Sequence, residues 1–598
     1  MSAEMRRAAY LILVVAINAI LVTVSQAQTN SWIGRSDGKW ERAHHWDDGL
    51  PSITQSGVII SNANSKVVTI DRHTARNFPN SLTISNLTLS AQRGVINTLF
   101  LDNTGTIALR ILNGLTMGIN PNTPSGAGGM ELTSTNSTLI VDGLLGSQLL
   151  DDGAMLITGG SLITTNCSLT VGGFFDDAIG SLLISNAIVQ ARDITIAAGG
   201  SAIGTIEVIG GTMTLSSYLS VGGGFDSSQG SLLVASGGLL VVTNADTDIG
   251  GSDGSSGNLT VSNATFLATD VFLGGERSGG ALTINNGTVT LSGELIVGIG
   301  GNAGSGDVSL NGGLFVVTND MTIIADSQDT GILTISDGIF LGQTVLVGTG
   351  DHSEGILSIQ GGISILSSNL QIGGAFSFGT VSITGGQLFV TNAPIVVNSV
   401  VEAQCVVSGG QLAARTIELD GFSGGTLLVD GGSVTVSEGI TLGDCTSGTL
   451  GYATVDGGQL IVTNAVHTGF IDVRSGVLTL DGGTLRVDKL VMTNSCGSFV
   501  HAGGTLIVGS VILDPNAFRI TSVAREGNDL RVSWLMGPGQ TNALQATDGG
   551  IHGSYSTNGF TDIFVVTNNT ASGTLTNYVD IGAATNIPSR FYRARLVP

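Results

Sequence analysis

The sequence predicts an all-β fold: a single-stranded parallel β-helix of right-handed coils of about 25 residues each, followed by a small C-terminal β-sandwich. Three observations lead there. Glycine makes up 90 of the 598 residues, whereas proline makes up only 9. Apolar and polar residues alternate over short runs, the period of a half-buried strand. A unit of fixed length then recurs through most of the chain. The composition excludes two non-globular classes that can be rich in glycine. Disordered chains are charged and poor in apolar residues, yet this one is 42% hydrophobic and 11% charged. Collagen needs glycine at every third position and abundant proline, and neither is present.

The first element is an export signal. Arg6 and Arg7 precede an apolar stretch over 8–24, and Ser25, Gln26 and Ala27 place small residues at the cleavage positions. This order is that of a secretory signal peptide cut after Ala27, giving a secreted or cell-surface protein. The alternative is an uncleaved anchor, but Asn18 interrupts a span already short for a bilayer.

Residues 28–152 show weaker periodicity and are expected to hold an N-terminal cap and the first irregular coils, with strands at 57–61, 67–71 and 81–89. A solenoid exposes strand edges and core unless its first coil is covered. Trp32, Trp40 and Trp46, three of the four tryptophans, are read as that hydrophobic cover. A sugar-stacking platform is the other use for them.

The regular solenoid spans 153–514. Units such as GTIEVIGG at 204–211, GILTISDG at 331–338 and GTLLVDGG at 425–432 open on glycine and close on a turn. The openings fall at 153, 180, 204, 230, 257, 280, 306, 331, 355, 379, 403, 425, 451, 476 and 498, with Ala403 and Ser498 replacing glycine. Each unit is read as three strands. At Gly379 the inward pairs are Val381 with Ile383, Leu388 with Val390, and Ile395 with Val397. Every third coil carries the motif GGxxx(T/V)TN, at 159–166, 237–244, 312–319, 385–392 and 457–464, which marks a three-coil module of about 75 residues.

Residues 515–598 lose the repeat. Strands are expected at 518–523, 529–535, 541–546, 562–566, 577–581 and 591–597, with Trp534 and Tyr592 in the core of a separate β-sandwich.

Charge and chemistry narrow the function. Residues 153–514 hold 29 Asp and Glu against 6 Lys and Arg, which accounts for the whole formal net charge of −23. An acidic surface argues against nucleic acid and anionic membranes as partners. The best catalytic candidates are Asp430, Asp456 and Asp481, each five residues into its unit and so stacked on successive coils. Close carboxylates of this kind share a cation or perturb one another. The same offset holds Thr158, Ser185, Asn285, Asn311, Thr384 and Ser408, however, which marks a turn position favouring short polar side chains.

The solenoid's basic residues, Arg192, Arg277, Arg415, Arg474, Arg486 and Lys489, are scattered, and it contains no Trp. Asp176, Asp177 and Asp444 are placed in solvated variable loops. His44 and His45 near Asp47 and Asp48 form one weak metal candidate, while His352, His467 and His501 have no partner at ligand spacing. Cys167, Cys405, Cys445 and Cys496 are far apart and are read as small buried residues or free thiols. No catalytic, cofactor-binding or metal residues are assigned, and no cofactor is expected.

The repeating units resemble the type V secretion and PEP-CTERM-associated repeats of bacterial surface proteins, which are similar to autotransporter passengers. The opening segment, with Trp32, Trp40, His45, Trp46 and Pro51, is similar to the start of many such proteins. The C-terminal segment resembles fibronectin type III-like modules and the C-terminal modules of secreted proteins from Verrucomicrobia-type bacteria. The resemblance implies an extracellular β-helix of a kind whose role is structural or unassigned. This chain departs from it in ending on RFYRARLVP, with neither a membrane β-barrel nor a PEP-type anchor. The expected function is therefore an exported, non-catalytic structural or adhesive protein meeting extracellular glycan or a cell surface. The alternative is a polysaccharide lyase or hydrolase, or a glycan-binding protein, on the same scaffold.

Overall fold

The computed structural model describes residues 28–598 except 62, 92–94, 118–128, 144–147, 151, 174–176, 225–226, 319–320, 494–495, 514–518, 538, 550–554, 556–558, 571–572, 586–588 and 598. The expected signal peptide and Asp176 lie outside the described residues. The chain is 64% strand and 3% helix, in parallel stacked coils of about 25 residues that make about 18 turns. It divides into two compact units, Met1–Asp320 and Met321–Pro598.

The coil openings stack in register. In the first unit Gly153, Gly180, Gly204, Gly230, Gly257, Gly280 and Gly306 pair in sequence. In the second, Gly331, Gly355, Gly379, Ala403, Gly425, Gly451 and Gly476 do the same. The last opening is corrected by one residue: Gly476 pairs with Gly497, so glycine is kept there and Ser498 is the next, outward position. The six inward residues of the Gly379 coil are all fully buried. Each such aliphatic contributes roughly 1.5–3 kcal/mol by leaving water.

A glycine opens the coil because the chain passes too close for a side chain. A Cβ on Gly257 would lie well inside 3 Å of the Val221 carbonyl oxygen and the Gly250 nitrogen. Gly250 itself sits at φ 66°, turning the corner in the left-handed region. Ala403 is the exception: its methyl group is fully buried, and the corner before it passes through Asn398, which is not left-handed.

The three-coil period has a geometric basis. Pairing slips between Thr164 and Ser168, between Val242 and Asp246, and between Val390 and Pro394, each time against two fewer residues on the next coil. At these three sites the Thr-Asn motif marks a two-residue insertion at the second corner, a bulge that widens the turn, and at 457–464 the insertion is longer, eight residues from Val462 to Phe470 against two from Val487 to Lys489.

The third-corner loops differ in length, and many of them share one backbone feature. The residue three before each opening is left-handed at Asp177, Ser201, Ser227, Gly254, Arg277 and Ala303 in the first unit, and at Gln328, His352 and Phe376 in the second. The residue after it is small and buried, as in Ser228, Ser255 and Ser278 and again in Ser353 and Ser377. Hydroxyls satisfy the turn: Ser353 Oγ donates to the Gly350 carbonyl at 2.9 Å and Ser377 Oγ to that of Gly348 at 2.6 Å.

The N-terminal coils join the same parallel pairing: Thr29–Ser31 pairs with Gly57–Ile60, and Lys66–Asp71 pairs with Ile96–Asp102. The strand expected from 81 begins later. A short helix, Arg72–Asn77, and a 3-10 turn, Pro79–Leu82, precede Thr83–Leu89. Asp71 caps the helix by accepting from the His73 and Thr74 N–H groups. Burial works against its charge, but the Lys39 ammonium and these N–H donors hold its carboxyl down at about 2.

Lys66 points inward beside Val68 and Ile70, is 2% exposed, and its Nζ has no hydrogen-bond partner among the described residues. Burial lowers it to about 8 from 10.5. The unfolded chain holds that proton more tightly, so stability should rise as pH climbs from about 8 towards 10.5, by about 3 kcal/mol in all. Lys66→Met should abolish that rise and add roughly 2 kcal/mol at pH 7. Urea denaturation of both proteins at pH 7 and 10 checks this, and parallel pH profiles would refute it.

The C-terminal module pairs Arg519–Glu526, Asp529–Met536 and Thr574–Asp580 in one antiparallel sheet. Thr541–Gly549 lies between Thr561–Thr567 and Ser589–Val597 in another. The sheets share a core in which Trp534 and Leu544 are fully buried and Tyr592 packs against them. Asn542 is also fully buried, and neither of its amide atoms has a hydrogen-bond partner among the described residues. Asn542→Leu should therefore stabilise the module by about 1–2 kcal/mol. The change would be read from Trp534 emission in denaturant, and a loss of stability there would contradict the expectation.

Cys445 and Cys496 are bonded, Cα to Cα 5.9 Å, which corrects the expectation of unlinked thiols. Their separation of 51 residues is two coils, so both fall on the third corner. Cys167 and Cys405 are buried outside that bond, and burial pushes the Cys405 thiol up to about 12.

Candidate functional site

The carboxylate row forms as the spacing predicts. Asp430, Asp456 and Asp481 follow the first strands Gly425–Val429, Gly451–Val455 and Gly476–Leu480, at the turn into the second strand. Their N–H groups donate to the carbonyls of Val407, Val429 and Val455, each at 2.9 Å. One residue per coil at about 4.8 Å makes a column, and all three side chains are exposed. Among the described residues no three His, Cys, Asp or Glu side chains lie where they could hold a metal ion.

Four of the solenoid's six basic residues are engaged by other groups, and Arg486 and Lys489 lie on the strand Thr484–Met492 that follows Asp481. Arg192 bonds Asp193 at 2.8 Å and the Asn166 carbonyl at 3.4 Å. Arg415 bonds Glu438 at 2.8 Å and the Asn392 carbonyl at 3.4 Å. These arginines occupy equivalent places, one coil after a Thr-Asn motif, where each caps the carbonyl freed by the inserted turn. Sequence reading saw them as scattered. What they share is register: the residue before each arginine pairs with the last residue ahead of the inserted turn, Ala191 with Thr164 and Ala414 with Val390, although the spacing from the motif asparagine differs, 26 and 23 residues. Arg277 pairs with Asp253 at 2.6 Å and Arg474 with Asp472 at 2.7 Å.

The tryptophans are buried. Trp32 and Trp40 each meet Trp46 edge-on, at 5.1 and 4.9 Å between ring centres. Trp46 Nε1 donates to the Trp40 carbonyl at 2.9 Å and Trp40 Nε1 to that of Ser81 at 3.2 Å. Rings so placed offer no coplanar face to a sugar. Burial, then the charges of His44 and Arg42, lowers the His45 pKa. Asp47 accepts from the Ser31 N–H at 2.6 Å and Asp48 from Gln55 at 3.1 Å, so both carboxylates hold the loop.

The three solenoid histidines stand apart from one another. His352 lies 3.0 Å from Asp351, His501 stacks on Phe499, and His467 lies 3.4 Å from Asp488. Burial opposes the Asp488 charge, but the N–H groups of Asn464 and Gly469 and the His467 ring keep its carboxyl below the ordinary range. Asp444 is lowered by the N–H and hydroxyl of Thr446 within its own loop.

The feature that sequence reading missed lies on the third corner of the second unit. His352, Phe376, Val400 and Phe422 each stand three residues before a coil opening, on four successive coils. Phe376 and Phe422 are exposed, as are the neighbouring Phe378 and Val401. The His352 and Phe376 rings are stacked within 13° of parallel, 6.1 Å apart. Residue type at this offset varies from coil to coil, so periodicity alone did not bring these residues together.

The architecture defines the chain as a parallel β-solenoid protein with a small antiparallel C-terminal module. No protein family, curated protein or solved structure matches it.

Proposed function

We propose that the chain is an exported, non-catalytic surface or matrix protein whose solenoid displays regular corners for adhesion. The observation that carries this reading is the fate of the chemistry-bearing residues. Arg192 and Arg415 tie down inserted turns, Asp47 and Asp48 hold a loop, and the Asp430–Asp456–Asp481 column repeats one turn position with no ion pair to a basic residue among the described residues. Catalysis on polysaccharides calls for acid and base groups converging on one bond. The resemblance to bacterial surface repeats and the N-terminal signal order point the same way, towards a protein that works outside the cell.

The test is a polysaccharide-degradation and glycan-binding screen on residues 28–598, with and without calcium. Binding without turnover is the expected result. Cleavage of any polymer would overturn the reading and make Asp456→Asn the first variant to assay.

A further inference from the structure

We propose that the aromatic corner of the second unit is a docking ridge for an uncharged polysaccharide chain, a proposal that rests on the adhesive reading above. Among the described solenoid phenylalanines, Phe266, Phe315 and Phe340 are fully buried and Phe272, Phe389, Phe470 and Phe499 are partly covered. Phe376, Phe378 and Phe422 are instead 53%, 45% and 65% exposed, with Val401 exposed between them. Three successive coils thus place apolar side chains on one corner.

Phe376 is also strained. It holds φ at 57°, where a residue with a side chain pays about 1–2 kcal/mol and where Ser201, Ser227, Gly254 and Ala303 serve other coils, as do the larger Arg277, Gln328 and His352. The core gains nothing from a phenylalanine that is 53% exposed, whereas a ligand seated on the corner would cover it.

The ligand's chemistry follows from the ridge. Flat ring faces present negative quadrupoles that attract the C–H groups on the face of a sugar ring. Coils about 4.8 Å apart set such faces in a line, suiting a polymer of flat repeating units. The His352 and Phe376 rings already lie nearly parallel. Asp351, Glu354 and Glu402 are exposed around the ridge. Their charge disfavours an anionic polymer, and it disfavours a second copy of a chain whose net charge is −23.

The experiment is affinity electrophoresis of residues 28–598 through gels containing xylan, galactomannan or mixed-linkage β-glucan, with alginate as the anionic control. Sedimentation and thermal melting accompany it. Phe376→Gly and the double variant Phe376→Gly/Phe422→Ser are compared with wild type. At least one neutral polymer should retard the wild type, and alginate should not. The double variant should lose affinity by roughly tenfold or more. Phe376→Gly should melt no lower than wild type, because glycine relieves the φ strain. That combination separates a binding role from a structural one.

Variants that bind as wild type overturn the ridge and leave the adhesive reading standing. Retardation by alginate alone, by no neutral polymer, or a ridge-dependent dimer also overturns the ridge. Polymer cleavage overturns the adhesive reading itself.

Discussion

Gly257→Ala is expected to destabilise the first unit by about 3 kcal/mol or more, and to open the chain locally around 250–260 before the rest unfolds. The added methyl group would fall on the Val221 carbonyl oxygen and the Gly250 nitrogen, which are main-chain atoms of the adjoining turns. Side chains can rotate away from a clash. These atoms cannot, because Gly250 N–H already donates to Val221 at 2.8 Å and the ladder fixes both. Coils in a solenoid contact only their neighbours, so the damage stays local at first. Hydrogen exchange and limited proteolysis should report it between 250 and 260. Asn258→Ala, one residue on but outward and exposed, should change stability by less than about 0.5 kcal/mol. Equal melting of the two variants would show that the coil opening tolerates a Cβ.

The second large effect is redox-dependent. Cutting the Cys445–Cys496 bond should destabilise the last coils by roughly 4 kcal/mol, the loop-closure entropy of a 51-residue loop in the unfolded chain. Dithiothreitol should therefore lower the wild-type melting temperature and leave Cys445→Ser, already at the lower value, unchanged. Cys167 and Cys405 should not confuse the result, being buried within the solenoid. A wild-type melting curve indifferent to reductant would mean that the corner is held by its ladder alone. An extracellular setting, as proposed, is one in which such a bond persists.

The two effects differ in how readily sequence announces them. Gly257 belongs to a row of openings visible as a repeat, because the same close approach recurs on every coil and selects the same residue. The inward pairs, such as Val381 with Ile383, were legible for a similar reason: alternation along a strand and burial on one face are the same fact. The disulfide was not read, although its spacing is two coils. Equal spacing puts residues on one corner, but only the shape of the loops decides whether two thiols meet. Lys66 was hidden because an isolated lysine in an alternating strand looks like an outward residue until the register turns it inward.

By itself, then, the sequence determined what every coil shares: the parallel solenoid, its coil length, the aliphatic interior and the three-coil module. These rest on local backbone constraints that each repeat must meet alone. The tertiary structure decided what arises between coils: the shift of the last opening to Gly497, the regular left-handed corner, the arginine caps on inserted turns, the disulfide and the ridge of Phe376 and Phe422. Such features depend on which residues stacking brings within a few ångströms. No single repeat is constrained to keep the same residue there, and so no period reveals them.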